Sequence, residues 1–308
     1  MEIKGILVSA IVPFENHIAN GGEKLLGNAS SIKKRPDGRV YVSGQMQRHV
    51  LFSAIDRLNL SDPDKEKTFV SNGDGISNQI ENDLRADMGG FMHPSKGDYS
   101  GRRTAPLSVT PAVASDESAV GRDLLVRVRF DESADAKDQA LATKEFSQKD
   151  LMHMNFFLDI SALSISKAFE YKNSFNIATI YFKHAEDAER KRRARLYLEA
   201  TKLMNDYASQ ARNAVSGEPQ KVIIVFDTIL SRKASRYFVA EEQERNNILS
   251  ELKARGANYF IGDDKTEQSV YSAYKDALEF LAKEENKLFN PAGEDTDVKT
   301  FQQAFGRE

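Results

Sequence analysis

Residues 32–55 read IKKRPDGRVYVSGQMQRHVLFSAI, and this stretch is the most informative in the chain. A cationic cluster leads into a Pro-Asp-Gly turn at residues 36–38, and a short strand is predicted over residues 39–42. Apolar residues then recur at helical spacing over residues 46–58, which predicts an amphipathic helix with Ser43 as its N-cap. The sequence therefore concentrates positive charge just before and at the start of a helix.

Charge is unevenly distributed along the chain. The 308 residues carry a net charge of −3. Residues 24–57 nevertheless have a local charge of +5, because two acidic residues, Asp37 and Asp56, stand against the cations Lys24, Lys33, Lys34, Arg35, Arg39, Arg48 and Arg57. The rest of the chain therefore carries −8. A basic strip in an otherwise acidic chain indicates a local anionic ligand rather than indiscriminate coating of DNA.

The start of the predicted helix is suited to phosphate binding. Its first backbone N–H groups lack helical partners and carry a partial positive charge. Gly44 leaves room for the close approach of a backbone, and Gln47 and Arg48 are expected to lie off the apolar stripe of the helix. Cationic side chains beside such a helix start bind the phosphates of a nucleic-acid backbone electrostatically, and they do not discriminate between base sequences. The alternative interpretation of the pattern is a solvated run of surface charge.

No enzyme signature is found in the sequence. The phosphate-binding motif GxxxxGKS/T, the nucleophile elbow and the HExxH motif are absent. The five histidines show no helical metal-ligand spacing, so neither a metal nor another cofactor is expected. The lack of cysteine excludes disulfides and thiolate metal sites, and it suits a cytoplasmic protein. No run approaches the ~18 apolar residues that span a membrane.

Strands and helices alternate irregularly, which predicts an α+β fold with helices packed on one face of a sheet. The apolar run over residues 3–14 predicts a strand covered on both faces. A long helix is predicted over residues 186–215, with a buried stripe formed by Leu196, Ala200, Leu203, Tyr207 and Ala211. Its basic run at 190–195 is expected to be solvated because acidic residues precede it. The polar segment 131–150 is predicted to be a loop. Residues 290–308 are predicted to be a flexible tail.

Three stretches of the sequence resemble the DevR-type CRISPR-associated backbone subunit, the repeated RNA-binding subunit of type I Cascade complexes and a member of the RAMP superfamily. The first is the N-terminal strand followed by NGGEKLLGNASSIKKR (20–35) and RVYVSGQMQRHVLFSAI (39–55). The second, IENDLRADMGGFMHPSKGDYSGRRTAPLSVTPAVA (80–114), is close to the subtype I-B branch. The third is ALATKEFSQKDLMHMNFFLDISAL (140–163). Together they cover roughly residues 1–165, and the C-terminal half matches only in its order of elements.

The resemblance implies a modified ferredoxin-like, RNA-recognition-motif-like palm with two additions. The palm would comprise residues 1–58, 101–109 and 149–290. Fingers would be inserted at residues 59–100, a β-hairpin thumb would span 110–148, and a C-terminal tail, expected to be flexible, would cover 291–308. The resemblance also assigns RNA contacts to the helix start and the basic segments; the candidate residues are Lys33, Lys34, Arg35, Arg39, Ser43, Gln45, Gln47, Arg48, Lys96, Arg102, Arg103 and Thr104.

Members of this family stack head to tail along CRISPR guide RNA and present its bases for pairing with target DNA. The implied partners are therefore guide RNA, target DNA through that pairing, further copies of the chain and other Cascade subunits, with no membrane and no catalysis. One alternative is a ribonuclease of a related fold that cuts target RNA with a thumb aspartate, for which Asp116, Asp123 and Asp131 are candidates. The other is a structural protein whose basic patch has no ligand.

Overall fold

The structure, a computed structural model, describes residues 1–26, 29–73, 77–92, 102–129 and 138–305. The strands of these residues, in chain order, are β1 (Glu2–Ile3), β2 (Gly5–His17), β3 (Glu23–Lys24), β4 (Ser30–Ser31), β5 (Tyr41–Val42), β6 (Phe91–Met92), β7 (Arg102–Arg103), β8 (Leu107–Val109), β9 (Ala112–Ala114), β10 (Val120–Arg129), β11 (Asp138–Asp159), β12 (Ile165–Lys172), β13 (Phe175–Lys183), β14 (Lys221–Asp227), β15 (Asn258–Asp263) and β16 (Lys287–Leu288). The helices are α1 (Gly44–Ser61), α2 (Leu84–Gly89), α3 (Asp187–Lys202), α4 (Glu242–Ala254), α5 (Val270–Ala282) and α6 (Phe301–Phe305), with a 3-10 helix at Lys233–Arg236.

The predicted α+β class is confirmed, and its centre is an antiparallel sheet. The strands lie in the order β15-β14-β2-β11, and β8 and β9 pair with the far edge of β11. The long strand β11 pairs with β2 from Ser147 opposite His17 to Asp159 opposite Gly5. Helix α1 connects β2 to β8 and β9, and α3 connects β11 to β14. The chain thus runs strand, helix, strand, strand, helix, strand through the centre of the sheet.

Both faces of the sheet are covered, as the apolar run of β2 predicts. Ile6, Val8 and Ala10 pack into the core that α1, α3 and α5 close. Leu7 lies on the opposite face, in a smaller cluster with residues of α4 and of the 3-10 helix. The expectation that helices cover only one face is therefore wrong. The reason is the continuous apolar run of β14: Val222, Ile224 and Phe226 face one side of the sheet, while Ile223 and Val225 face the other and must also be covered.

The helix at residues 187–202 is shorter than its apolar pattern predicts. Gly217 N–H donates to the carbonyl oxygen of Met204 at 2.7 Å, which closes a loop where the helix was predicted to continue. A Cβ at position 217 would lie 2.0 Å from that oxygen, so only glycine fits. Tyr207 is still buried, as its place in the stripe predicts, but it reaches the core from the loop. Ala211, predicted to be buried, is exposed.

Two segments predicted to be irregular are ordered elements. Residues 138–150, predicted to be loop, belong to β11 because the alternating strand β10 supplies a hydrogen-bonding partner along the register Val120–Ser147 to Arg129–Asp138. Residues 131–137 lie outside the described residues. In the predicted flexible tail, Phe301 of α6 packs edge to face on Phe91 with ring centroids 5.4 Å apart. The described part of the tail is therefore docked on the protein.

Two β-ribbons extend from β11. The first ribbon consists of β10 and residues 138–146 of β11, which lie beyond Ser147, the last residue of β11 that pairs with β2. The second ribbon consists of β12 and β13, which pair only with each other among the named strands of the described residues. Asn173 and Ser174 join its strands with φ values of 51° and 66°, as a two-residue type I′ hairpin turn requires.

Among the described residues, every helix falls short of the length and apolar character needed to cross a membrane.

Candidate nucleic-acid interface

The basic segment before α1 folds into a tight hairpin, as the sequence predicts. Arg35 N–H donates to Arg39 O at 2.9 Å, and Gly38 N–H donates to Arg35 O at 3.0 Å. Gly38 has a φ of +78°, which favours glycine at the turn. The Asn20 amide holds both legs of the hairpin, because its Nδ2 donates to the carbonyl oxygens of Lys33 and Tyr41 at 2.9 and 3.0 Å. The cations are thus carried on a fixed backbone.

The hairpin cations differ in how closely they pair with other groups of the protein. Arg39 lies 2.7 Å from Asp37, while Arg35 is 3.9 Å from the same carboxylate, and both arginines are about one-third to one-half exposed. The hydrogen bond from Arg39 lowers the pKa of Asp37. Lys34 donates to the carbonyl oxygen of Ser118 at 3.0 Å, at the base of the first ribbon. Exposed guanidinium groups such as these remain able to bind phosphate.

A buried hydrogen-bond network lies under the hairpin and joins it to the sheet. Val40 N–H donates to Ser118 Oγ at 3.0 Å, and that hydroxyl donates to Asp150. His17 Nε2 lies 2.7 Å from the other oxygen of the same carboxylate. Burial raises the pKa of Asp150, but hydrogen bonds from His17, Ser118 and Ser147 outweigh that effect and hold it below its ordinary value. The carboxylate therefore fixes the hairpin, the first ribbon and β2 to one another.

Helix α1 begins at the predicted N-cap. Ser43 Oγ accepts a hydrogen bond from Met46 N–H at 3.2 Å, and no acidic residue lies in the first turn. A Cβ at Gly44 would lie 3.2 Å from the carbonyl oxygen of Val109, so the backbone that approaches this glycine is the protein's own. Gln45 is exposed beside it. The start of the helix thus presents the Gln45 side chain and the positive end of the helix dipole to the surface.

Arg48 lies one turn into α1 and is half buried. Its guanidinium donates to the carbonyl oxygen of Gly89 and lies over the ring of Phe52, 5.7 Å from the ring centroid. Burial lowers the pKa of Arg48. The arginine is therefore held in a defined position at the base of a groove.

Two grooves flank the start of α1. Groove 1, of about 930 Å³, has Arg35, Arg39 and Tyr41 on one wall, His153 and Asn155 at its floor, and Phe238 opposite. Groove 2, of about 840 Å³, contains Gln45, Arg48 and His49 of α1 and, across from them, Ser71, Asn72 and Phe91. The segment 109–111 separates the grooves, since Val109 lines groove 2 while Thr110 and Pro111 line groove 1. Gly44 of groove 2 lies against the same segment, since a Cβ there would be 3.6 Å from atoms of Thr110 and Pro111. We call the two grooves together the track.

Gln47 does not face either groove, and the expectation that it lies off the apolar stripe is wrong. Its side chain is fully buried, and its Oε1 accepts a hydrogen bond from Tyr207 at 2.8 Å. Burial raises the pKa of Tyr207 far above its ordinary value, which keeps the phenol protonated as the donor. We therefore assign Gln47 a structural role in joining α1 to the loop after α3.

Arg103 is also part of the interior. Its Nη2 lies 2.5 Å from the Asp87 carboxylate and also donates to Ala162 O, while Nη1 donates to Ile165 O and Nε to Asp87 O. The side chain is 5% exposed, which leaves it no surface for RNA. Arg102 forms part of β7, while its side chain lies outside the described residues, as does all of Lys96. Thr104 is exposed.

Three arginines in the basic run of α3 are buried rather than solvated, which corrects the sequence expectation. Arg193 Nη1 lies 2.7 Å from Asp87 and donates to Ile80 O, and its Nη2 donates to Glu81 O. Arg190 and Arg192 are buried as well, and each guanidinium donates to carbonyl or carboxylate oxygens. Such burial is tolerated because every charge is paired or hydrogen-bonded.

Asp87 is the common acceptor of this arginine cluster. Its carboxylate forms ion pairs with Arg103 and Arg193. It also accepts hydrogen bonds from the Ser164 backbone N–H at 2.8 Å and from the Ser164 hydroxyl at 2.7 Å. Burial raises the pKa of Asp87, but the two arginines outweigh burial and keep the group ionised. His184 lies at the edge of the cluster, where burial lowers its pKa to about 4, so the ring is neutral at neutral pH. The cluster fastens residues 80–90, which form a wall of groove 2, to α3.

The structure thus brings together only part of the predicted site. The predicted residues that border the two grooves are Arg35, Arg39, Gln45 and Arg48. Lys33 and Lys34 lie in a leg of the hairpin and Ser43 caps α1, and none of the three lines either groove; Gln47 and Arg103 are interior. Asp116 is exposed after β9, Asp123 lies in β10, and Asp131 is outside the described residues. Among the described residues, no group of three His, Asp or Glu side chains could hold a metal ion.

The sequence analysis missed the floor of groove 1. His153 and Asn155 alternate with the core residues Met152, Met154 and Phe156, so they face away from α1 and α3. Ser9 Oγ lies 3.2 Å from His153 Nε2 and fixes the ring. The available signal was two polar residues at alternate positions in the otherwise apolar segment 151–158.

The model of the family described as CRISPR-associated negative auto-regulator DevR/Csa2 matches residues 8–216. No curated protein matches the sequence. A chain of a solved CRISPR RNA-guided surveillance complex superposes with a TM-score of 0.53 and 16% identity, over 90% of this chain and 99% of that chain. A chain of a CRISPR RNA-guided surveillance complex in a pre-nicking state superposes with a TM-score of 0.52 and 12% identity, over 91% of this chain and 100% of that chain. Likeness at these identities concerns the fold alone.

Proposed function

Because the chain belongs to the DevR/Csa2 family, we propose that it is a non-catalytic subunit that polymerises along CRISPR guide RNA and forms the backbone of a type I Cascade complex. The observation that carries the proposal is the track formed by the two grooves on either side of the α1 start. Its chemistry suits a polyanion, because cations, a helix N-terminus and exposed amides follow one another along the track.

The contacts available along the track are of the kind that binds a backbone. Arg35 and Arg39 supply guanidinium groups at groove 1, and Arg48 supplies one at groove 2. Between them lie the exposed Gln45 and the positive end of α1. Because every nucleotide carries the same phosphate, the affinity of such contacts does not depend on the base sequence. A guide RNA held in this way keeps its bases available for pairing with target DNA.

The finer architecture of the proposal divides the chain into palm, fingers and thumb. The order of strands in the sheet, with β14, β2, β11 and the β8/β9 edge joined through α1 and α3, supports a ferredoxin-like palm over residues 1–58, 101–109 and 149–290. The fingers are assigned to 59–100, which includes the wall of groove 2. The thumb is assigned to 110–148, which includes the first ribbon.

The proposed function makes RNA binding insensitive to base sequence. Two unrelated single-stranded RNAs of equal length, each just long enough for one copy, are expected to bind with affinities within about threefold of each other, because the contacts are to phosphate. The logarithm of the affinity is expected to fall linearly with the logarithm of salt concentration. Fluorescence anisotropy at several salt concentrations measures both. Binding to one sequence only, or binding that salt does not weaken, would contradict the proposal.

A further inference from the structure

The C-terminal residues 298–305, which we call the strap, form a regular segment that lies across the protein. Its short helix α6 begins with a reciprocal pair of hydrogen bonds: Gln303 N–H donates to Thr300 Oγ1 at 3.1 Å, and Thr300 N–H donates to Gln303 Oε1 at 2.8 Å. This is a capping box, which satisfies backbone donors that a helix start leaves free. Phe301 and Phe305 lie one turn apart on α6, with ring centroids 4.9 Å apart. The strap therefore presents two adjacent aromatic rings in a defined conformation.

Backbone hydrogen bonds fasten the strap to the base of the second ribbon. Lys299 N–H donates to Lys183 O at 2.8 Å, and Lys299 O accepts a hydrogen bond from His184 Nδ1 at 2.7 Å. Burial lowers the pKa of His184 to about 4, so the ring carries one proton at neutral pH, and the contact with a carbonyl oxygen places that proton on Nδ1. Phe305 adds an edge-to-face contact with Phe182, with ring centroids 5.2 Å apart. The strap is thus anchored on residues that line neither groove.

The strap also covers residues 80–91, the wall of groove 2. Phe301 is 6% exposed and packs with Ala86 and Phe91 in a small apolar cluster that is separate from the main core. Its backbone N–H donates to Glu81 Oε2 at 3.1 Å. Ala86 and Phe91 both line groove 2. The strap therefore supports two residues of the groove wall from behind.

The supported wall holds Arg48, the cation of groove 2. The Arg48 guanidinium donates to the carbonyl oxygen of Gly89, two residues before Phe91. A change in the placement of Phe91 therefore moves the carbonyl group that holds Arg48. Leu84 and Met88 of α2 belong to the main core, so the wall remains attached to the protein when the strap is weakened. The strap thus affects where the wall lies rather than whether it folds.

A chain of polar groups joins the strap to the same wall. With its proton on Nδ1, His184 accepts a hydrogen bond at Nε2 from the hydroxyl of Ser166 at 2.9 Å. Arg103 Nη1 donates to the oxygen of that hydroxyl at 3.3 Å, and Arg103 pairs with Asp87 in the wall. The strap therefore contacts the wall by one apolar route and one polar route.

We propose that the strap positions the wall of groove 2, and through Gly89 the guanidinium of Arg48, so that it sets the affinity of groove 2 for RNA. The inference rests on the proposed function, because it takes the RNA backbone as the ligand of this groove. Phe301 lines neither groove and is a positioning residue, which acts through the wall.

The test measures binding of Phe301→Ala to an RNA just long enough for one copy. The affinity is expected to fall about fivefold, the share of one phosphate contact, and the slope of log affinity against log salt should become shallower by about 0.7. Adding Phe301→Ala to Arg48→Ala should cost no further affinity, because Arg48 is the group on which the strap acts. Adding it to Arg35→Ala/Arg39→Ala should cost a further loss of about fivefold. Unchanged affinity in Phe301→Ala, or a loss that multiplies with that of Arg48→Ala, would overturn the inference.

Two control variants separate positioning from general loss of stability. Phe301→Leu keeps a large apolar side chain and is expected to retain most of the affinity and the full salt slope. Leu281→Ala removes a buried side chain of α5 that is 2% exposed and lines neither groove. It is expected to lower the melting temperature without changing the affinity or the salt slope. Equal losses of affinity in Leu281→Ala and Phe301→Ala would mean that stability alone controls binding, and the inference would be wrong.

Hydrogen exchange of the free protein distinguishes failure of this inference from failure of the proposed function. The backbone amides of residues 80–91 are expected to exchange faster in Phe301→Ala than in the wild type, while those of β14 in the core should be unchanged. If the wild type bound no RNA, the proposed function would fail, and faster exchange would still show that the strap positions the wall. Unchanged exchange over residues 80–91 would overturn the inference whether or not RNA binds.

Discussion

Replacing Asp87 with alanine is expected to lower the free energy of unfolding by about 3–5 kcal/mol, because it leaves Arg103 and Arg193 buried without their shared counter-charge. A loss of that size is a large part of the total stability of most domains. Denaturant titration followed by circular dichroism measures it. An Asp87→Asn variant keeps the size of the side chain and one acceptor oxygen, and is expected to be destabilised as well because the charge is lost.

The matched control for Asp87 is Asp64→Ala, since Asp64 is exposed in the turn after α1. Its effect on the free energy of unfolding is expected to stay within about 0.5 kcal/mol. A loss below about 1 kcal/mol for Asp87→Ala would show that the arginine cluster reorganises or hydrates without cost. The role assigned to Asp87, as the residue that fastens residues 80–90 to α3, would then be wrong.

Removing the three track cations together, as Arg35→Ala/Arg39→Ala/Arg48→Ala, is expected to weaken RNA binding by roughly 100-fold. The figure follows from about 1 kcal/mol for each phosphate contact. The loss should be the same for unrelated RNA sequences. The slope of log affinity against log salt should become shallower by about 2, because each contact with a single-strand phosphate contributes about 0.7.

The control for this triple variant removes three exposed cations that line neither groove, as Arg212→Ala/Lys253→Ala/Lys275→Ala. It changes the net charge of the protein by the same amount, so any difference between the variants is due to position. Thermal unfolding of both variants checks that the fold is retained. Equal losses of affinity in the two variants would mean that RNA is attracted by overall charge, and the track would not be the binding site.

Local signals in the sequence were sufficient to predict the hairpin turn and the start of α1. The Pro-Asp-Gly turn, the cap at Ser43 and the apolar spacing of α1 depend on neighbours within a few residues, and the structure confirms each of them. The fold class also followed from local patterns. These features could be predicted because their hydrogen bonds close over short stretches of chain.

Other residues could not be assigned to the interior from the sequence, because their hydrogen-bond and ion-pair partners lie far away along the chain. Arg193 meets Asp87 across 106 residues, and Tyr207 meets Gln47 across 160. A basic run such as that of α3 is usually exposed, and nothing nearby indicates that carbonyl and carboxylate oxygens from other elements will surround it. Gln47 was misplaced for the same reason, since its partner lies in a loop that the sequence pattern predicted to be helix.

The most direct test of the central claim is the mass of the assembly formed by the wild-type protein on single-stranded RNAs of increasing length. Light scattering at saturating protein is expected to show mass rising in equal steps, one copy for each fixed increment of RNA, because a head-to-tail contact does not close. The steps should be the same for RNAs of unrelated sequence. A closed ring of constant mass on every RNA, or a single copy bound regardless of length, would contradict the account.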